Sequence, residues 1–148
     1  MSIADEVNAA IADAMRKHDP ARLSALRMLK AALTNRSIEK GRALDDAEAR
    51  QVVSALVKQR KDSIEQFTKG GRKDLADKEA AEITVLESYL PPAADPAAVE
   101  QAVADAIAET GATSPKDMGR VMKAAMAKLA GQNVDGKAVN ELVRQKLG

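Results

Sequence analysis

The chain has 148 residues, 45% of them hydrophobic and 1% aromatic, and a formal net charge of +1. With no cysteine and one histidine, His18, the composition excludes disulfides, a thiolate nucleophile and a multi-histidine metal centre. One Phe, one Tyr and no Trp exclude an aromatic platform for stacking single-stranded nucleic acid. We therefore expect an aliphatic core, no metal site and no cofactor.

The start of the chain and its apolar runs bear on location. No basic-then-apolar leader opens the sequence, and no apolar run approaches the roughly 20 residues that a membrane helix needs. We therefore expect no membrane partner and a cytoplasmic protein.

Four helices are predicted in the N-terminal part. Ser2 is placed to cap the first, and Asp19-Pro20 begins the second with an N-cap and a proline at the first helical position. Asp45, with Glu48 three residues later, forms a capping box for the third. Glycines or prolines follow the later helices and end them. The predicted helices run from Ser2 to about Lys17, Pro20 to Lys40, Asp45 to Lys69 and about Lys73 to Tyr89.

Three shorter helices are predicted in the C-terminal part. Asp95-Pro96, Ser114-Pro115 and Asp135 are their start signals, and Gly111 and Gly131 end the first two. No segment alternates as a strand does, so the fold class is all-α. The pair Pro91-Pro92 marks the boundary between a four-helix N-terminal domain, residues 1–91, and a three-helix tail domain, residues 92–148.

Charged residues occupy core positions in the third and fourth helices. Arg60 is four residues from both Leu56 and Ile64 and therefore points inward. Glu79 lies in phase with the apolar stripe of the next helix, with Glu82 beside it. A charge removed from water is tolerated when it is paired, so we predict an Arg60–Glu79 ion pair across the two helices.

The same carboxylates admit two interpretations. Paired carboxylates on an apolar face are the arrangement that general acid–base catalysis uses, but nothing nearby supplies an activated nucleophile. We favour a structural ion network, with no catalytic residue in the chain. Its predicted members are Arg27, Lys30, Arg60, Glu79 and Glu82.

Several separated motifs identify a family. In order they are Leu26-Arg27-Met28-Leu29 with Asn35, Lys58 to Ser63, Phe67, Arg72 to Ala76, Glu79 with Glu82, Tyr89-Leu90-Pro91, and Asp117 to Met122 followed by Gly131. Together they resemble the YqeY family, relatives of the C-terminal part of GatB, a tRNA-dependent amidotransferase subunit. The resemblance extends along almost the whole chain.

The resemblance implies a helical bundle, a small helical tail and a role related to tRNA-dependent amidation. The family is often associated with carbon–nitrogen ligase activity that uses glutamine as the amide donor. This chain has neither a cysteine nor a lysine–serine constellation in a glycine- and serine-rich loop, one of which an amidase of that kind would need. We therefore interpret it as a non-catalytic binding module associated with tRNA, an aminoacyl-tRNA synthetase or amidotransferase subunits. The alternatives are a ligase component that acts only with partner subunits and a structural interaction protein.

The tail contains the candidates for nucleic-acid binding. Residues 115–148 include 7 basic and 3 acidic residues, although such blocks also neutralise one another as solvated faces. A glycine inside a helix, Gly119, indicates the close approach of a phosphate or, equally, a tight helix crossing. The predicted contacts are Gly119, Arg120, Lys123, Lys128, Arg144 and Lys146.

Overall fold

The computed structural model describes residues 1–148 and contains seven α-helices, one 3-10 helix and no strand. The all-α prediction is confirmed. None of the helices combines the length and the apolar character that crossing a membrane requires. In chain order the helices are α1 (Ile3–Arg16), α2 (Pro20–Lys40), α3 (Asp46–Lys69), α4 (Lys73–Glu87), α5 (Pro96–Thr110), α6 (Met118–Lys128) and α7 (Gly136–Leu147), with the 3-10 helix (Pro115–Asp117) before α6.

Most helices begin at the predicted caps. Ser2 caps α1 in a capping box with Asp5, and Asp45 and Glu48 form the predicted capping box of α3. Side-chain oxygens at the starts of three other helices accept backbone N–H bonds and satisfy groups that would otherwise lack partners. These caps are Asp19 for α2, Asp95 for α5 and Asp135 for α7.

Two helix boundaries differ from the prediction. Ser114-Pro115 begins the 3-10 helix instead of α6, and the Ser114 side chain makes no capping hydrogen bond. At the other boundary, α4 ends at Glu87, and the backbone N–H groups of Tyr89 and Leu90 bond three residues back in turns. Both differences are one turn or less, the range within which helix ends tighten or fray.

The helices group into two compact units, Met1–Leu90 and Pro91–Gly148. In the first unit the most extensive pairings are α3 with α4 and α1 with α2. Compact grouping does not show that either unit folds alone, so the two-domain division stays a prediction. The core of this unit is formed by Ile3, Val7, Leu29, Leu33, Ala49, Val53, Val57 and Leu86.

The second unit has its own aliphatic core. Val103, Val121, Val139 and Val143 are almost completely buried there. The three methionines of α6 are partly buried and pack against this core, which matches an ordinary core stripe; they are Met118, Met122 and Met126.

The segment after the two prolines belongs to this second unit. The Ala94 backbone N–H donates to the Asn133 carbonyl at 2.9 Å, beside an isolated bridge between Ala93 and Asn133. These contacts fix the start of the unit to the loop between α6 and α7.

Two carboxylates hold the connections between helices in the first unit. Arg22 of α2 donates to Asp13 of α1 at 2.8 Å, and this bond and the nearby Lys17 lower the Asp13 pKa to about 2. Arg42, in the loop before α3, forms a bidentate bond with Glu48 at 2.7 and 2.9 Å and lowers the Glu48 pKa to about 2. Each carboxylate therefore neutralises basic residues that lie beside it in the fold.

His18 ends α1 in a conformation that favours glycine. Its N–H bonds to the Met15 carbonyl and the Asp19 N–H bonds to the Ala14 carbonyl, which is the Schellman pattern. His18 has φ 51° and is exposed, whereas Gly41 and Gly71 hold the left-handed position after α2 and α3. A left-handed conformation costs a residue with a Cβ roughly 1–2 kcal/mol.

We therefore expect His18→Gly to raise the free energy of unfolding, measured by urea titration, by about 0.5–1 kcal/mol. The gain is smaller than the full strain because glycine also adds entropy to the unfolded chain. His18→Ala is the matched control, since it removes the imidazole but keeps the Cβ. An equal gain from both substitutions would show that the imidazole, and not the backbone, is the source of the effect.

Candidate functional site

The interior of the first unit contains one buried charged residue, Arg60, which is 7% exposed. It lies on α3 in the same helical phase as Val53 and Val57, as its spacing predicts. Its Nε donates to Glu82 Oε2 at 3.1 Å, and its Nη1 donates to the Leu56 carbonyl at 3.1 Å. Its Nη2 lies against the thioether sulfur of Met28 on α2. Arg60 therefore connects three helices.

The predicted ion pair between Arg60 and Glu79 is present, but the hydrogen-bonded partner of Arg60 is Glu82. Glu79 Oε2 lies 3.9 Å from Arg60 Nε, within ion-pair range but beyond a hydrogen bond. The Glu82 side chain is 13% exposed and that of Glu79 is 25% exposed. The two glutamates are three residues apart on one face of α4, so helical phase alone does not distinguish them.

Arg27 and Lys30 lie outside this network. Both are exposed and neither forms an ion pair, because the buried face of α2 follows Ala25, Leu26, Leu29 and Leu33. The α2 residue that contacts the Arg60 guanidinium is Met28, an apolar neighbour, and not Arg27 or Lys30. The signal for Met28 was its position between the apolar residues Leu26 and Leu29 of α2, where a flexible thioether adapts to an irregular gap.

The geometry favours a structural role for the two glutamates. Arg60 lies within ion-pair distance of both carboxylates, so each of them already has a charged partner. His18, the one histidine, is exposed in the connection between α1 and α2. A cavity of about 320 Å³ in the same unit is lined by neither glutamate. The network therefore ties α3 to α4, as a structural role requires.

We expect Glu82→Gln to lower the free energy of unfolding by about 3 kcal/mol, the lower end for a broken buried pair, because it leaves Arg60 without its closest charge. Glu79→Gln, at a longer distance and higher exposure, should cost less than about 1 kcal/mol. Urea titrations followed by circular dichroism measure both changes. Equal costs, or a larger cost for Glu79→Gln, would contradict the assignment of Glu82 as the main partner.

Three of the basic tail candidates form ion pairs within the second unit. Arg120 pairs with Asp117, lowers the pKa of that carboxyl, and reaches toward the Thr110 carbonyl. Lys128 pairs with Glu109, and Lys146 lies 3.6 Å from Glu100. Part of the positive charge of the tail is therefore neutralised locally, as the alternative interpretation of the charge blocks expects.

The other three candidates are open to solvent. Lys123 and Arg144 are exposed and form no ion pair. Gly119 is exposed, and a Cβ added there would have no neighbour within 4 Å, so a tight helix crossing does not explain this glycine. Gly119 and Lys123 lie one turn apart on the solvent-facing side of α6. Lys116, three residues before Gly119, is also exposed and unpaired, although it is not among the predicted contacts.

The family comparison covers nearly all of this architecture. The sequence model of the YqeY family, described as Yqey-like protein, matches residues 4–147. This range includes all seven helices except the first residue of α1. The chain belongs to the YqeY family. The match confirms the family that the separated motifs resemble.

Curated relatives include the protein named "Altered inheritance of mitochondria protein 41, mitochondrial" in several fungi. The Lachancea thermotolerans protein is 34% identical over 105 residues, 69% of this chain and 56% of the relative. The Kluyveromyces lactis protein is 40% identical over 77 residues, 51% of this chain and 42% of the relative. The Pyrenophora tritici-repentis protein is 26% identical over 144 residues, 96% of this chain and 79% of the relative. The YqeY chain thus spans about half the length of the first two.

The names of these relatives contradict the predicted cytoplasmic location. Each of the three is named as a mitochondrial protein. The prediction rested on the first residues of this sequence. Members of this family differ in length, so those residues do not determine where the protein is located. The cytoplasmic assignment is therefore wrong.

Proposed function

We propose that this YqeY-family chain is a non-catalytic binding module for tRNA or for the synthetase and amidotransferase subunits that act on tRNA. The proposal combines the resemblance to the GatB tail with one observation. Lys123 and Gly119 lie together on the solvent-facing side of α6, where no side chain pairs with the lysine and none covers the glycine. A phosphate can approach the helix backbone there and meet a free ammonium group.

The charges around this position support contact with a phosphate backbone. Lys116 and Arg144 add two exposed cations without ion pairs to the same unit. The Arg120–Asp117 pair is also on the surface, where ion pairs contribute only about 0–1 kcal/mol, so a phosphate can compete for that guanidinium. We expect binding that depends on salt and depends little on base sequence, because the chain has no aromatic cluster to stack bases.

The alternative of a carbon–nitrogen ligase component receives less support from the geometry. Such an enzyme needs acid–base or nucleophilic groups open to a substrate, and the most suitable carboxylates, Glu79 and Glu82, are partly buried and paired with Arg60. A ligase component acting with partner subunits would have to obtain its reactive groups from those subunits.

The structural interaction protein is supported by a different observation. Ile38 is 73% exposed on α2, at the edge of the 320 Å³ cavity. An exposed apolar side chain beside a cavity is a feature that a partner can cover.

The test compares two double charge reversals. Lys123→Glu/Arg144→Glu removes two free cations from the tail, and Lys58→Glu/Lys61→Glu is the matched control, since both of those lysines are exposed and unpaired on α3. Affinity for tRNA is measured at low and moderate salt. We expect the tail variant to bind tRNA more weakly, and the steepness of its plot of log K against log salt to decrease by between about one and two. The affinity and the slope of the control should stay closer to those of the original protein.

Two results would contradict the proposal. If both variants lose affinity equally, the tail is not the binding face, and general attraction to positive charge explains the binding. If the unmodified protein shows no salt-dependent affinity for tRNA, the RNA-binding proposal is rejected, and a structural interaction protein becomes the better interpretation.

A further inference from the structure

A groove in the first unit combines an apolar floor with polar groups that have no partner. It lies between the start of α1, the C-terminal half of α2 and the segment that leads into α3, and its volume is about 320 Å³. This is the size at which small-molecule sites begin, and such sites are apolar with a few convergent polar groups. Its apolar lining includes Ile3, Val7, Leu33, Ile38, Leu44 and Ala49.

Three lining side chains are free to bind a ligand. Lys30 is exposed and forms no ion pair, and neither Thr34 nor Asn8 forms a hydrogen bond. Lys30 and Thr34 are one turn apart on α2, so their side chains are neighbours on the helix surface. They offer an ammonium group, a hydroxyl and an amide, each a hydrogen-bond donor, in the lining of one groove.

The other polar groups of the groove are already occupied. Asp46 Oδ1 accepts the Ile3 N–H at 3.4 Å, so this carboxylate lies near the positive N-terminal ends of both α1 and α3. Ser2 Oγ accepts the Asp5 N–H, and Ser37 Oγ donates to the Arg42 carbonyl. Asp46 has no cationic partner, but the two helix N-termini beside it offset its negative charge, so Lys30 is the charge in the groove that no neighbouring group offsets.

We propose that this groove binds a small apolar carboxylate, with its hydrocarbon part on the apolar floor and its carboxylate beside Lys30, Thr34 and Asn8. Charge complementarity selects the head group, because Lys30 is the charge in the groove that no neighbouring group offsets. Lys30 and Ile38 are eight residues apart on α2, roughly 12 Å along the helix. This distance sets the approximate length of the hydrocarbon part of the ligand. This site is separate from the tail residues of the proposed function.

The ligand series of hexanoate, octanoate and decanoate tests the apolar part. Calorimetric titration of the full chain below the micellar concentration should show affinity rising about fourfold per methylene, the factor that corresponds to burying one CH₂ group. Shifts of the Ile38, Leu33 and Leu44 methyl signals should saturate in parallel. No saturable binding, or shifts spread over residues that do not line the groove, would overturn the proposal.

The head group is tested with Lys30→Met, which keeps an apolar stem and removes the charge. We expect a loss of about two- to fivefold in octanoate affinity, the range for an exposed ion pair, and no change for Lys58→Met, an exposed lysine outside the groove. Octanoate should also bind more tightly than octylammonium. Equal binding of the two ligands, or an unchanged affinity in Lys30→Met, would overturn the assignment of a carboxylate.

Sedimentation of the protein without ligand tests the other possible occupant, a second copy of the chain. We expect a monomer. A dimer that dissociates in Ile38→Lys would assign the groove to a second copy and overturn the small-molecule proposal.

Discussion

The burial of one arginine constrains the whole N-terminal unit. The Arg60 guanidinium is nearly removed from water, and an uncompensated charge in that position would cost several kcal/mol. Glu82 of α4, the Leu56 carbonyl of α3 and Met28 of α2 surround it. The three helices must keep their relative positions to satisfy this group, so the network fixes which faces of α2, α3 and α4 meet. We regard it as a source of specificity in the fold more than of net stability, because apolar residues of similar volume often stabilise a core equally well.

Local pairing of charges determines which surfaces remain available for function. Asp13 and Glu48 hold basic residues at the connections between helices, and Arg120, Lys128 and Lys146 have acidic neighbours in the tail. The sequence blocks of positive charge therefore overstate the free positive charge on the surface. Among the cations that remain without an ion pair, Lys123 lies beside an open helix backbone and Lys30 beside an apolar groove. Those surroundings, more than net charge, distinguish the two proposed binding positions.

Helix ends and the buried phase were predictable because both depend on near neighbours in the sequence. Asp45 with Glu48, Asp19-Pro20 and the inward direction of Arg60 follow from caps and helical periodicity. The choice between Glu79 and Glu82 was not predictable, since it depends on the offset between α3 and α4. The exposure of Arg27 and Lys30 depends on which side of α2 meets its neighbours. The groove has no local signal, because its lining comes from three separate segments, and the open surroundings of Gly119 could be seen only in the folded unit.

A double-mutant cycle between Arg60 and Glu82 tests the central claim most directly. The variants are Arg60→Met, Glu82→Gln and both together, and the free energy of unfolding of each is measured by urea titration. We expect a coupling energy above about 1.5 kcal/mol, within the range for residues in one network, and less than about 0.5 kcal/mol in the parallel cycle between Arg60 and Glu79. A coupling near zero between Arg60 and Glu82 would show that the buried guanidinium is stabilised by other groups, and that α3 and α4 are not held together by this pair.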